Sequence, residues 1–120
     1  MSKDAVRIQA IIHYYNKIDD RIEEFGEDKE DFLENEAYHD VCSFYLSQIG
    51  ENVRSISPKL TAKYSEVSRV GLMELRNTVA HGYEGIDFDA VWTTITKKVP
   101  KIKKACEQIL REVKQQTRMS

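Results

Sequence analysis

The sequence predicts an all-α protein, an up-down bundle of four main helices with shorter helical pieces. Apolar residues recur at three- and four-residue steps through most of the chain, as on the buried face of a helix. Only five glycines and two prolines interrupt them, which is few for an all-β or disordered protein. The 120 residues suit a single domain, residues 1–120, with a modest core.

The first helix has the most regular pattern. It is predicted from about Lys3 to Glu24, and Gly26 marks the stop after it. Its apolar face consists of Ile8, Ile11, Ile12, Tyr15, Ile18, Ile22 and Phe25. A second helix is predicted from Asp28 or Glu30 to Asn52, and it forms an antiparallel hairpin with the first.

The second half of the chain contains clearer stop and start signals. Ser57 and Pro58 predict a break followed by a short helix capped by Ser57. Another helix is predicted over about 66–81. Asp87 is the predicted cap of the last helix, in which Pro100 produces a kink or a restart.

Most aromatic residues lie at core-facing spacing, so we expect them to pack in the interior rather than stack on bases. They are Tyr14, Tyr15, Phe25, Phe44, Tyr45 and Trp92. His13 and His39 are expected at helix surfaces or edges, without a catalytic role.

Charge is distributed unevenly around a net value of −2. Residues 19–40 carry eleven carboxylates and two cations, whereas residues 97–118 carry eight cations and two carboxylates. The basic segment could attract a phosphate backbone or dock an acidic partner. It could also be a solvated helix face, with or without pairing to the acidic segment of the same molecule, and charge alone favours this second interpretation.

Several classes of protein are disfavoured by the sequence. Cys42 and Cys106 do not form a CxxC pair and are expected to be buried thiols. The three histidines lack ligand spacing, so we expect no metal and no cofactor. No apolar run approaches the ~18 residues that span a bilayer, and the first residues lack the apolar core of a signal peptide. A cytoplasmic location without a membrane partner is therefore expected.

The segment Arg76-Asn77-Thr78-Val79-Ala80-His81-Gly82-Tyr83 contains the most reactive combination of side chains. The planar cation of Arg76 fits phosphate oxygens. His81, at the predicted end of a helix, lies beside the negative end of the helix dipole, which favours the imidazolium. Such a pair suits metal-free RNA cleavage, in which the 2′-hydroxyl attacks the adjacent phosphate. Asn77 could orient the phosphate or the histidine.

The spacing between Arg76 and His81 does not by itself bring the two side chains together. Five residues on a regular helix correspond to about 500° of rotation, so the side chains would point about 140° apart. The helix could end before His81, or two copies of the motif could face each other across a dimer. Alternatively, both residues are helix-end caps paired with nearby acids, which is the interpretation that spacing alone favours.

An ordered series of motifs resembles the HepT-like branch of the HEPN superfamily, once known as the DUF86 family. The series is Gln48-Ile49-Gly50-Glu51, Pro58, Leu75-Arg76-Asn77-Thr78-Val79-Ala80-His81-Gly82-Tyr83, Gly85-Ile86-Asp87, Val91-Trp92 and Val99-Pro100. The hallmark of that branch is RNxxxHxY followed closely by ID and VW. The resemblance covers roughly residues 5–113, although Ser68-Arg69 stands where many relatives have Pro-Trp.

The resemblance implies a HEPN-like all-helical homodimer whose two R-x4-H motifs line one cleft. It implies a metal-independent ribonuclease that is the toxin of a toxin–antitoxin pair, with Arg76 and His81 catalytic. It also implies an MNT-type nucleotidyltransferase antitoxin that adenylylates Tyr83. The added AMP would bring negative charge and bulk within two residues of His81 and so obstruct an RNA substrate. A plain packing role for Tyr83 remains open.

A ribonuclease with net charge −2 needs a local basic cleft to hold RNA. The candidate RNA-binding residues are Arg54, Lys59, Lys63 and Arg69. A function from another class is also open: a non-catalytic subunit that presents Tyr83 and a nucleotide-sized cleft to a nucleotidyltransferase. A purely structural dimeric bundle is a third, weaker hypothesis.

Overall fold

The computed structural model describes residues 3–63 and 86–119, and these residues form helices and no strand. The helices are α1 (Lys3–Phe25), α2 (Lys29–Glu34), α3 (Glu36–Arg54), α4 (Pro58–Lys63), α5 (Phe88–Thr93) and α6 (Val99–Met119), with a π-helical turn over Thr94–Lys98 between the last two. The all-α prediction is therefore confirmed. The helix predicted over 66–81 lies outside the described residues.

Helix α1 packs against both α3 and α6, so that it lies at the centre of the described bundle. Its predicted apolar face is correct: Ile8, Ile11 and Ile18 are fully buried. They belong to one continuous core cluster with Phe32, Tyr38, Leu46, Ile49, Val53, Val91, Ile95, Val99, Cys106 and Ile109. Burial of side chains of this size stabilises the fold by about 1.5–3 kcal/mol each.

The end of α1 is set by Gly26, as predicted. Gly26 has a φ of +127°, a backbone angle that residues with a side chain rarely adopt. Its N–H donates a hydrogen bond to the carbonyl of Ile22 at 3.0 Å. A Cβ at this position would lie 2.8 Å from Cγ of Asp31. The Gly26 carbonyl accepts a hydrogen bond from the hydroxyl of Tyr38 at 2.8 Å, which fixes the start of α3 beside the end of α1.

The predicted second helix is in fact two helices, and this part of the prediction is wrong. Asn35 is extended, with φ −104° and ψ 104°, and its side chain accepts a hydrogen bond from the N–H of Tyr38 at 3.1 Å. An asparagine in this role starts α3 and separates it from α2. The bend lets Phe32 of α2 turn inward, where its ring lies 5.0 Å from that of Tyr38 and 5.1 Å from that of Trp92.

Phe44 is the exception among the aromatic residues predicted to be in the core. Its side chain is 54% exposed, whereas Tyr15 is only 8% exposed. The reason is helical register. Phe44 follows the buried Cys42 by two residues, about 200° around α3, and so points away from the core that Cys42 and Leu46 enter.

The last predicted helix begins as expected, since the Asp87 side chain accepts a hydrogen bond from the N–H of Ala90 at 3.1 Å. Before Pro100 the chain does not break. It widens instead into the π-helical turn, in which the N–H of Val99 donates to the carbonyl of Thr94, five residues earlier. The predicted restart at Pro100 thus takes the form of a local widening of one helix.

Within the part of the chain that the structure describes, no helix is long and apolar enough to cross a membrane. The prediction of buried thiols is confirmed, because Cys42 and Cys106 are both free and buried.

Candidate functional site

The residues predicted to carry chemistry lie between the two described parts of the chain. Arg76, Asn77, His81 and Tyr83, with Arg69, fall within 64–85, outside the described residues. Their roles therefore stay predictions. The structure does describe the residues on either side of this segment, and both sides are tied to the core.

The first attachment point is the corner between α3 and α4. Ser57 donates two hydrogen bonds to Asp4 of α1, from its N–H to Oδ1 at 3.0 Å and from its hydroxyl to Oδ2 at 2.8 Å. Ile56 is buried beside them, and Leu60 of α4 packs against the core. The residues that lead into the motif segment are thus held against the start of α1. Ser57 precedes α4 as predicted, although its hydroxyl donates a hydrogen bond to Asp4 of α1.

The second attachment point is the start of α5. Phe88 stacks on His39 of α3, with ring centroids 4.0 Å apart and planes 29° apart. Nδ1 of His39 lies 3.2 Å from the carbonyl of Phe32. Asp89 forms an ion pair with Lys29 of α2. These contacts join α5 to α2 and α3, and His39 packs between Phe32 and Phe88.

The stack of Phe88 on His39 and the Lys29–Asp89 pair were not predicted from the sequence. Each joins residues about fifty or more positions apart, and helical periodicity contains no information about such a pairing.

Two of the four candidate RNA-binding residues can be placed. Arg54 at the end of α3 and Lys59 at the start of α4 are both exposed, on the same corner of the bundle. Lys63 is the last residue of α4, and its predicted role stays a prediction. The Asp4 carboxylate bonded to Ser57 lies at the same corner, so the local positive charge is partly offset. Arg54 and Lys59 remain candidates that the structure does not test.

The two cysteines, which lie in the described residues, are poorly suited to catalysis. Burial raises the pKa of Cys42 to about 12, against the opposing effect of the Arg21 charge. Burial, with a smaller effect of Glu107, raises the pKa of Cys106 to about 12. Both thiols therefore stay protonated at neutral pH, and a protonated thiol is a weak nucleophile.

Two of the described tyrosines, Tyr15 and Tyr38, are buried. Tyr38 is fully buried and its pKa is raised, first by burial and then by the neighbouring Cys42, Asp31 and Glu27. Burial, followed by Asp19 and Glu107, also raises the pKa of Tyr15. Neither hydroxyl is presented to a modifying enzyme. In residues 3–63 and 86–119, no three His, Cys, Asp or Glu side chains are grouped as metal ligands.

Comparison with known proteins places these features in a family. The model of the family described as Ribonuclease HepT-like matches residues 11–109, which is most of the chain. A candidate RNase of Methanocaldococcus jannaschii is 32% identical over 73% of this chain and 76% of its own length. A second from that organism is 32% identical over 70% of this chain and 69% of its own.

A candidate RNase of Caldanaerobacter subterraneus subsp. tengcongensis is 28% identical over 71% of this chain and 76% of its own length. No solved structure gives a significant match. The resemblance that the motif series indicated is confirmed, and with it the prediction of a ribonuclease. The chain belongs to the HepT-like ribonuclease family.

Proposed function

We propose that this protein is a metal-independent endoribonuclease and the toxin of a HEPN/MNT toxin–antitoxin pair, with Arg76 and His81 as its catalytic residues. The observation that carries the proposal is the extent of the family match. It spans residues 11–109, so the segment 76–83 falls within it rather than at an unmatched end. That segment supplies a phosphate-binding cation and a proton-transfer group five residues apart.

The proposed reaction uses the nucleophile that RNA itself carries. The 2′-hydroxyl oxygen attacks the neighbouring phosphorus and loses its proton, while the bond to the 5′-oxygen breaks and that oxygen gains a proton. The products are a 2′,3′-cyclic phosphate and a 5′-hydroxyl end. His81 transfers a proton in this exchange, and Arg76 stabilises the negative charge that develops on the phosphoryl oxygens. Asn77 orients the phosphate or the imidazole.

A homodimer would allow Arg76 and His81 side chains from two copies to reach one phosphate. If the segment were a regular helix, Arg76 and His81 would point about 140° apart, and a single copy would not direct both at one phosphate. Two copies related by a twofold axis present a self-complementary surface, and each can supply the side chain that the other directs elsewhere. We therefore propose a cleft shared between two protomers.

The described contacts support such a site through the anchoring of its ends. The Asp4–Ser57 hydrogen bonds hold the chain before residue 64, and the His39–Phe88 stack holds it after residue 85. Catalysis by positioned side chains requires a rigid scaffold on both sides of the reacting groups. The contacts described here support the proposal, because they tie the residues on both sides of the segment to the bundle.

Regulation is proposed to act on Tyr83. An MNT-type nucleotidyltransferase partner transfers AMP from ATP to the tyrosine oxygen, which loses its proton, and pyrophosphate leaves. The phosphodiester-linked AMP places a negative charge two residues from His81, where it repels and obstructs an RNA phosphate. The partner thereby neutralises the toxin.

The catalytic proposal is tested by replacing His81. His81→Ala is expected to abolish RNA cleavage and growth arrest, while His13→Ala leaves both unchanged, because His13 is exposed on α1. Circular dichroism establishes that both variants are folded. Cleavage by the wild-type protein is expected to persist in EDTA and to leave cyclic phosphate ends. Unchanged cleavage by folded His81→Ala protein would rule out the proposal.

The regulatory proposal is tested by intact mass after co-expression with an MNT-type nucleotidyltransferase. An added mass in AMP units is expected on the wild-type chain and on Tyr45→Phe, and its absence is expected on Tyr83→Phe. The alternative of a non-catalytic binding subunit predicts the same modification with no nuclease activity in the purified wild-type protein. Measured cleavage therefore separates the two functions, and modification of Tyr83→Phe would exclude Tyr83 as the target.

A further inference from the structure

The first half of α6 presents a row of exposed lysines. Lys97 at the end of the π-helical turn and Lys101 and Lys104 on α6 are separated by four and three residues, and all three side chains are exposed. Steps of four and three residues keep side chains on one face of a helix. We call these three residues the α6 lysine stripe. Arg111, also exposed, continues the same face.

The stripe borders a shallow groove. A space of about 290 Å³ is lined by Lys101, Lys104, Ala105 and Gln108. Ala105 is almost fully buried and forms its floor, whereas the two lysines and the glutamine are exposed at its edges. With a rise of about 1.5 Å per residue, Lys101 and Arg111 are about 15 Å apart along the helix. The row is thus long enough for several consecutive phosphates.

The positive charge of the stripe is not neutralised within the described residues. No carboxylate there lies within ion-pairing distance of any of the three lysines, and residues 97–106 contain five lysines and no acid. Other cations have internal partners. Lys29 pairs with Asp89, and Nζ of Lys103 lies 4.7 Å from the ring centre of Tyr15. The acidic segment 19–40 therefore does not neutralise this row, contrary to one sequence-based interpretation.

We propose that the α6 lysine stripe is a docking track for the phosphate backbone of RNA, in addition to the proposed catalytic residues Arg76 and His81. The proposal rests on the proposed ribonuclease function, which requires RNA to be held by a protein of net charge −2. Long, flexible lysines in a regular row suit sequence-independent contact with phosphates.

An acidic protein partner fits this surface less well than RNA. Stable protein interfaces are centred on buried aromatic or apolar anchors. The exposed positions of this face, from Lys97 through Gln108 to Arg111, are all polar or cationic. A surface with charge and no apolar anchor favours a ligand whose affinity comes mainly from counterion release.

The proposal predicts a measurable salt dependence. Each phosphate contact on a single strand contributes about −0.7 to the slope of log K against log salt concentration. Loss of three lysine contacts should reduce the magnitude of the slope by about 2. Binding is measured by fluorescence anisotropy with a 2′-O-methylated RNA, which lacks the nucleophile and stays intact during titration.

The test compares two triple variants with the same change in charge. Lys97→Gln, Lys101→Gln and Lys104→Gln together take the net charge from −2 to −5. The control is Lys3→Gln, Arg7→Gln and Lys17→Gln, three exposed cations of α1 with the same total change. The stripe variant is expected to bind RNA at least tenfold more weakly with the smaller slope, while the control stays within about twofold of wild type.

Cleavage kinetics provide a second readout, because the proposal gives the stripe a role in binding RNA and none in the chemical step. With cleavable RNA, the stripe variant should show a raised KM and an unchanged kcat. Wild-type and stripe-variant proteins that bind RNA with equal affinity and slope would overturn the proposal, as would an equal loss in the control. A wild-type protein that cleaves nothing but still binds RNA through the stripe would refute the proposed function and leave the docking track intact.

Discussion

Asp4 accepts two hydrogen bonds from Ser57, a residue 53 positions later in the chain. One comes from the backbone N–H at 3.0 Å and the other from the hydroxyl at 2.8 Å. The pair joins the first turn of α1 to the corner between α3 and α4, so it closes the antiparallel α1–α3 pair at the end opposite Gly26. The same corner leads into the segment that contains the predicted catalytic residues.

Removing the Asp4 carboxylate should destabilise the protein. Asp4→Ala leaves the N–H and hydroxyl of Ser57 without their acceptor and removes an acidic side chain from the first turn of α1. We expect the free energy of unfolding to fall by about 1–3 kcal/mol in urea titrations. Asp20→Ala, an exposed change on the same helix, should stay within about 0.5 kcal/mol of wild type. A double-mutant cycle with Ser57→Ala that gave no coupling energy would contradict this assignment.

The hydroxyl of Tyr38 should matter for stability as much as its ring. Tyr38→Phe keeps the buried ring contacts and removes the hydrogen bond to the Gly26 carbonyl. A part-buried carbonyl then loses its partner, so thermal and urea unfolding should report a loss of about 1–2 kcal/mol. Tyr45→Phe is the matched control, because no described group hydrogen-bonds the Tyr45 hydroxyl. Equal stability of the two variants would show that the Tyr38 hydroxyl contributes nothing.

The sequence was sufficient for features that depend on helical periodicity or on one local signal. The buried positions Ile8, Ile11 and Ile18, the end of α1 at Gly26 and the Asp87 cap are all of this kind. The division at Asn35 was missed because the apolar pattern continues across it. The cap lies within the pattern, and only the hydrogen bond to the N–H of Tyr38 reveals it.

The candidate site was predictable in a different way. Arg76, His81 and Tyr83 were identified from the motif series, and their roles stay predictions. The family match supports the family to which that series pointed. What the sequence could not provide is the way in which the ends of the segment are held, because Asp4–Ser57 and His39–Phe88 are long-range pairs. Periodicity also did not distinguish an unpaired lysine row from a neutralised one, which requires the positions of the carboxylates.

The buried thiols should make the protein less stable in mildly alkaline solution. Their ordinary pKa is 9.0, and burial raises it to about 12 for both Cys42 and Cys106. Above pH 9 the unfolded chain therefore releases protons that the folded chain retains, and the free energy of unfolding falls as pH rises. Each thiol contributes a slope of up to about 1.4 kcal/mol per pH unit.

This slope is best measured by urea unfolding between about pH 9 and 10, below the ordinary pKa of 10.0 for tyrosine. Cys106→Ala should reduce it, whereas Val53→Ala should lower stability by a similar packing loss without changing the slope. Below about pH 8 both thiols are protonated in the folded and in the unfolded chain. Their titration should therefore not change the free energy of unfolding in that range. An identical pH slope in Cys106→Ala and wild-type protein would disprove the contribution of Cys106.

The π-helical turn explains how α5 and α6 bury one continuous face. Val91, Ile95 and Val99 are four residues apart, and all are buried. Eight residues exceed two α-helical turns, which hold about 7.2. The bond from Val99 N–H to the Thr94 carbonyl adds about one residue to a turn, so the three side chains stay aligned. The wider turn also leads into Pro100, which has no N–H to donate.

Deletion of one residue in this turn should therefore be tolerated when Pro100 is replaced as well. In a Pro100→Ala background, deletion of the exposed Lys98 converts the turn to regular α-helix and keeps Val91 and Val99 on one face, now seven residues apart. Deletion of the exposed Lys104 in the same background rotates Ala105 and all later residues of α6 by about 100°, which takes the buried Cys106 and Ile109 out of the core. We expect the free energy of unfolding of the first variant to lie within about 1 kcal/mol of that of its background. The second variant should lose several kcal/mol. Thermal unfolding followed by circular dichroism distinguishes them, and equal losses would mean that the π-helical turn does not set the register.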